Sequence, residues 1–179
     1  HAFGYSFCQE DKIMVRKFTQ LIPNDLFQDF MESSANCLIY SNRYSTSGNF
    51  QDMNNNMPIV VGNTAIAMNG VLTMKTKAEY EEEFKVSCES DNDAEIILRK
   101  MVVNGEDILT ILKDNPKCSF AGVFLFSDHI FAVRNNKRPL YYYEENKVQL
   151  FTSTYDTLKR SGVDVTKISM VKALEKRSI

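Results

Sequence analysis

The chain has 179 residues, 44% of them apolar and 25% charged, with a formal net charge of -2. This length and balance suit one core in a single domain spanning residues 1–179 and exclude fibrous and disordered classes. Without a basic excess there is no field for phosphate backbones or anionic lipid, and no apolar run reaches the roughly 20 residues of a membrane span, so nucleic acid and membrane are not expected partners and a cytoplasmic protein is.

In chain order, the aromatic-rich Ala2 to Phe7 suits a strand. Pro23-Asn24-Asp25 is a start signal, and Leu26, Phe27, Phe30 and Met31 then recur at helical spacing. Cys37 to Tyr40 and Ile59 to Val61 read as short strands, with an Asn-rich loop from Gly48 to Met57 between them. Ala65 to Met68 leads into Asn69-Gly70 and out through Val71 to Met74, and Asn-Gly between β runs predicts a tight hairpin, because a type I′ turn needs positive φ at both central residues. Ala78 to Phe84 is an acidic helix. Asn92-Asp93-Ala94-Glu95 reads as a capping box opening a second, and a third covers Ile108 to Leu112. Phe120 to Phe126, Ile130 to Arg134, Leu140 to Tyr143 and Val148 to Thr152 then form an expected β-meander, with turns at 127–129, 135–137 and 144–146. Helical runs at Tyr155 to Lys159 and Met170 to Lys176 complete a layered α+β domain.

Chemistry is harder to place. The chain has only two histidines, His1 and His129, and His129 falls in an expected turn, so a histidine-based triad or dyad has no good base. Cys8, Cys37, Cys88 and Cys118 form no C-x-x-C pair, and neither a metal site nor a disulfide framework is suggested. Phosphate-cradling glycine motifs are absent, and no cofactor is expected.

Five blocks nevertheless stand in a telling order: Arg43-Tyr44-Ser45-Thr46-Ser47-Gly48; Asn55-Asn56-Met57-Pro58-Ile59-Val60-Val61; Thr64 through Thr73, with Asn69-Gly70 inside it; Asn92 through Leu98; and Ala121-Gly122-Val123-Phe124 with the arginines Arg134 and Arg138 that follow. The set resembles the glutaminase domain of class II glutamine amidotransferases, in particular that of amidophosphoribosyltransferase. The resemblance implies a four-layer αββα sandwich of the N-terminal-nucleophile hydrolase type. It also implies a catalytic N-terminal cysteine whose own α-amine is the base, which removes the need for histidine. Aligning Phe3-Gly4 on the family's aromatic and glycine puts that cysteine immediately before His1; Cys8 is no substitute, since a peptide nitrogen beside it is not basic.

By the same resemblance, Arg43 would clamp the α-carboxylate of L-glutamine, Asp93 would accept from its α-ammonium, and Thr46 would support the bound ligand. Asn69 and Gly70 would form the oxyanion hole, and Arg134 and Arg138 would brace a hairpin. The chain departs from the family in having Met68 where a histidine usually precedes Asn-Gly, and Tyr40-Ser41-Asn42-Arg43 in place of G-H-x-R. The family passes its ammonia to a synthase, and a separate synthase or acceptor-substrate protein is the expected partner. Two readings stay open: a glutaminase whose mature chain carries the cysteine, and a non-catalytic relative that binds glutamine or a partner protein.

Overall fold

The computed structural model describes residues 2–19, 23–43 (Arg43 by its backbone only), 49–72, 75–127 and 129–178. Strand β1 (Ala2–Gln9) turns at Glu10 and Asp11, both at positive φ, into β2 (Lys12–Thr19), and β3 (Leu38–Arg43) pairs with the other edge of β1. Two successive positive-φ residues make the tightest hairpin link. The motif-based reading missed β2 because its turn is Glu-Asp and not Asn-Gly. Between β2 and β3 lies α1 (Gln28–Glu32), shorter than the expected helix because Asn24 to Phe27 form turns.

Strand β4 (Ile59–Val61) pairs with β5 (Thr64–Val71). Three helices follow: α2 (Lys77–Phe84), α3 (Asp93–Val102) and α4 (Ile108–Asp114). Next come β6 (Ser119–Leu125), β7 (Ile130–Arg134), β8 (Tyr141–Glu145), β9 (Val148–Thr152), α5 (Tyr155–Arg160), β10 (Ser169–Met170) and β11 (Arg177–Ser178). The described strands form three antiparallel sheets in the orders β2-β1-β3, β11-β7-β6-β5-β4 and β10-β8-β9.

Strand alternation explains the layers. On one face of the five-stranded sheet, Ile66, Met68, Phe120, Phe124, Phe131 and Val133 pack with Ile96, Ile97 and Leu98 of α3 and Ile108 and Leu112 of α4. On the other face, Ala65, Leu125 and Ile130 pack against Ile39 of β3, so the β2-β1-β3 sheet lies face to face with the larger one. The far side of that smaller sheet presents Phe3, Tyr5 and Phe7, which pack on Phe18, on Phe27 ahead of α1 and on Phe30 within it. The sequence of layers is helices, sheet, sheet, helix: the expected four-layer αββα sandwich, with its last layer reduced to α1.

Several local expectations are corrected. Asn69-Gly70 is not a hairpin: β5 runs straight through it, with Asn69 opposite Ala121 and Gly70 opposite Phe120, because β6 offers a full-length partner. Of the expected outgoing strand only Val71 is strand; Leu72 lies in a bend, and Thr73 and Met74 fall outside the described residues. The C-terminal strands are no single meander, since β6 and β7 belong to one sheet and β8 and β9 to another. Arg134 ties off that break by donating to the carbonyls of Asn135 and Arg138. Met170 to Lys176 is not helical: Met170 ends β10, and Leu174 adopts positive φ, which a helix does not allow.

Asn92 is the N-cap of α3, its side-chain oxygen accepting from Ala94 N at 3.0 Å, but Glu95 does not close the expected capping box. A complete box stands instead at the start of α2, where Thr76 and Glu79 exchange hydrogen bonds.

Candidate active site

The register of the strands places one end of the space between the two sheets. Ala2 is opposite Arg43, and Ser6 is opposite Ile39, which packs on Ala65 of β5. Between those levels, Gly4 faces the loop before β4 so closely that an added Cβ would lie 2.7 Å from the carbonyl oxygens of both Met57 and Arg16. Only glycine fits that approach. Met57 in turn accepts through Sδ from Met68 N at 3.2 Å. Moving along β1 toward its start is therefore moving along β5 toward Asn69 and Gly70, and the Ala2–Arg43 end of the small sheet lies at the level of that dipeptide.

At Gly70 the backbone direction can be read from its neighbours. In an antiparallel ladder, alternate residues turn their N–H groups to opposite edges. Phe120, opposite Gly70, exchanges its hydrogen bonds with Asn135 on its other side, receiving from Asn135 N at 2.9 Å and donating to Asn135 Oδ1 at 3.1 Å. The Gly70–Phe120 pair is thus a non-hydrogen-bonded one. Val71 N points toward β6 and donates to Ser119 Oγ at 3.2 Å, whereas Met68 N and Leu72 N point the other way, to Met57 Sδ and to Asp93 Oδ2 at 2.7 Å. Gly70 N–H lies between these two and shares their direction, toward the edge of β5 that β4 leaves uncovered beyond Ile66. A side chain at Gly70 is excluded, because its Cβ would stand 2.0 Å from the Ser119 carbonyl oxygen. Asn69, exposed at the surface, follows Ala65 and Ala67 on the face turned to the small sheet.

Asp93 is the first residue of α3, half-buried, and its bond to Leu72 N fastens the helix start to the end of β5. A carboxylate at this end of a helix also complements its positive pole. Behind it lies a buried polar network. Glu95, 3% exposed, accepts from Glu89 N, Ser90 N, Ser90 Oγ and Arg99 Nε at 2.6 to 2.8 Å. Burial works to raise its pKa, but the hydrogen bonds from Ser90, Glu89 N–H and Arg99 outweigh it and hold the carboxyl below its ordinary value. Asn55 accepts from Asp91 N at 2.7 Å, donates to Asn49 O at 3.0 Å, and through its carbonyl receives Asn92 Nδ2 at 2.8 Å. The Asn-rich loop is thereby tied to the start of α3, a role its composition did not disclose.

Of the residues named from the sequence, the structure brings Asn69, Gly70, Asp93 and the backbone of Arg43 to the same end of the sandwich; Thr46 lies outside the described residues. Arg134 donates to Val171 O and Arg138 to Ser119 Oγ, both within the framework. His129 stacks on Phe126 at the opposite end of the sheets. Among the described residues no group of three or more His, Cys, Asp or Glu side chains is placed to hold a metal, and no helix is long and apolar enough to cross a membrane.

No protein-family model and no curated protein matches the sequence. Solved structures do match the fold. The glutamine phosphoribosylpyrophosphate amidotransferase from B. subtilis, complexed with ADP and GMP, superposes with a TM-score of 0.72 at 15% identity, over 99% of this chain and 42% of its own. A structure described as the allosteric regulatory enzyme of purine biosynthesis matches with a TM-score of 0.69 at 16% identity, over 96% of this chain and 38% of its own. A predicted glutamine amidotransferase from Pseudomonas aeruginosa PA01 matches at 0.63 and 11% identity, over 99% of this chain and 83% of its own. The chain thus spans about two fifths of the first two proteins and most of the third. Its fold is that of the glutaminase domains of class II glutamine amidotransferases, the N-terminal-nucleophile hydrolase sandwich.

Proposed function

We propose that this chain is a glutaminase of the class II amidotransferase type, with residues 1–179 acting as one domain on L-glutamine. The observation that carries the reading is the outward-pointing Gly70 N–H on the uncovered edge of β5, beside Asn69 and Asp93 and level with the start of β1. A cysteine preceding His1 would stand just beyond the Ala2–Arg43 end of the small sheet. Its thiol attacks the side-chain amide carbon of glutamine while its own α-amine takes the proton. Charge gathering on the amide oxygen is met by Gly70 N–H and the Asn69 side-chain amide, and loss of one such donor typically lowers turnover about 100- to 1,000-fold. The α-ammonium returns the proton to the leaving nitrogen, ammonia departs, and water then cleaves the γ-glutamyl thioester to glutamate. Arg43 and Asp93 select the substrate by pairing with its α-carboxylate and α-ammonium, and Thr46 supports it. The ammonia passes to a synthase unit that aminates a second substrate.

The test is intact-mass measurement and peptide mapping of the natively expressed protein, before and after exposure to a diazo-ketone analogue of glutamine. An adduct on a cysteine ahead of His1 is expected. Arg43→Ala should slow labelling about 10- to 100-fold, the value of a hydrogen bond to a charged group. A native N-terminus without cysteine, together with no adduct, sinks the enzyme reading and leaves a glutamine-binding or regulatory module.

A further inference from the structure

The far end of the same two strands carries a second arrangement of chemistry. The β1–β3 register runs from Ala2 opposite Arg43 to Phe7 opposite Leu38, and Cys8, in β1, and Cys37, the residue just before β3, are the next two positions along it. Residues opposed in an antiparallel pair have Cα atoms about 4.5 to 5.5 Å apart, inside the range of about 4.4 to 6.8 Å that a disulfide spans. Their side chains share a face: Cys37 packs beside Ile39, Leu125 and Ile130, and both cysteines line one open cavity of about 250 Å³ with Leu125, Phe126 and His129. Both are half-buried, so a small reagent entering the cavity reaches them, whereas Cys88 and Cys118 are buried elsewhere in the core.

We propose that Cys8 and Cys37 form a reversible cross-strand disulfide, a redox modification site whose reagent is a low-molecular-weight disulfide. The step is two thiol–disulfide exchanges. One protein thiolate attacks a sulfur of the reagent, breaking its S–S bond and releasing one small thiol. The second protein thiolate attacks the protein sulfur of the mixed disulfide, closing the Cys8–Cys37 bond and releasing the other. Two protein thiols are oxidised, one reagent disulfide is reduced to two thiols, and the two protons lost by the protein end on the products. Burial first, and then the neighbouring Cys8, raise the pKa of Cys37, which lowers its thiolate fraction and slows exchange at that sulfur. The bond would staple β1 to β3 about 20 Å, six strand residues, from the Ala2 end, and so leave the candidate active site in place.

The experiment treats the native chain with oxidised glutathione, traps remaining thiols by alkylation, and maps peptides without reduction. The expected result is a single cross-linked peptide pair joining Cys8 to Cys37, reversed by dithiothreitol. The oxidised form should melt about 10 °C higher than the reduced, as closure of a loop of some 30 residues predicts. Cys8→Ser and Cys37→Ser should each abolish the cross-link, and Cys88→Ser should not. Persistent glutathione adducts on Cys8 or Cys37 without closure overturn the proposal, as does pairing of either residue with another cysteine. If a serine variant does not fold, the wild-type peptide map and its melting shift decide alone.

Discussion

The two walls of the candidate site are fastened by opposite kinds of interaction. On the small-sheet side, β1 is held by rings: Phe3 on Phe18 at 5.3 Å, Tyr5 on Phe27 at 4.8 Å, and Phe7 on Phe30 at 5.6 Å. On the α3 side, the start of the helix is held by the hydrogen bonds of Glu95, Ser90, Asn92 and Asn55. Aromatic burial is strong and largely non-directional, and it holds β1 in the small sheet. Hydrogen bonds fix direction, which Asp93 needs if its carboxylate is to meet one group of a ligand.

The largest effect expected on this contrast is at Phe7, whose side chain is fully buried. Phe7→Ala should lower unfolding free energy by about 4 kcal/mol, through lost transfer energy and the cavity left behind. Urea titration measures that loss. If the rings only hold the strand, the protein that remains folded should bind glutamine with unchanged affinity, and a parallel loss of affinity would break the distinction drawn between the walls.

The same contrast explains what could be read from the sequence. Local patterning disclosed α3, α4 and the strands β4, β6 and β7 of the larger sheet, whereas β5 was expected to break at Asn69-Gly70 and β11 was not expected. Order of motifs singled out Asn69, Gly70 and Asp93, which the fold brings to one end of the sandwich. What stayed hidden depended on partners distant in sequence. Asn69-Gly70 carries the local signature of a turn, yet β6 pairs across it, and its close approach to Ser119 explains the glycine without any turn. Glu95 sits at the capping-box spacing from Asn92, but Ser90, Glu89 and Arg99 compete for it. The hairpins at Glu10-Asp11 and Asn146-Lys147 each set one residue that seldom adopts positive φ, Glu10 or Lys147, beside one that tolerates it, and without a glycine the first of them went unmarked.

A middling effect is expected at Asn55, 1% exposed. Asn55→Ala removes the acceptor of Asp91 N and leaves that donor without its bond, a cost of about 2 kcal/mol. Unlike Phe7→Ala, it should also weaken glutamine binding in the folded protein, because the loop carrying Asn55 steadies the start of α3. Calorimetric titration beside the urea curve separates the two quantities; a stability loss with unchanged affinity would show that Asn55 is not needed to hold Asp93.

The smallest effect is confined to acid. Glu95 has a folded pKa below its unfolded value, so its contribution to stability is fully present above the ordinary carboxylate pKa of about 4.3 and is lost as pH falls through the depressed folded value. Glu95→Gln cannot lose a charge it does not carry. The wild type should therefore be the more stable at pH 7, and its advantage over Glu95→Gln should shrink as pH is lowered below the ordinary carboxylate range. The aromatic wall has no comparable titration there, since Tyr5, pushed up to about 12 first by burial and then by its hydrogen bond to Asp29, stays protonated throughout. Unfolding curves of both proteins across that range, with Phe7→Leu as the aromatic control, should show a pH-dependent gap for Glu95→Gln and a nearly constant one for Phe7→Leu. A gap that stayed constant for Glu95→Gln would mean that desolvation cancels the hydrogen bonds and leaves the folded pKa of Glu95 at its unfolded value, and the polar wall would then owe its order to Asn55 and Asn92.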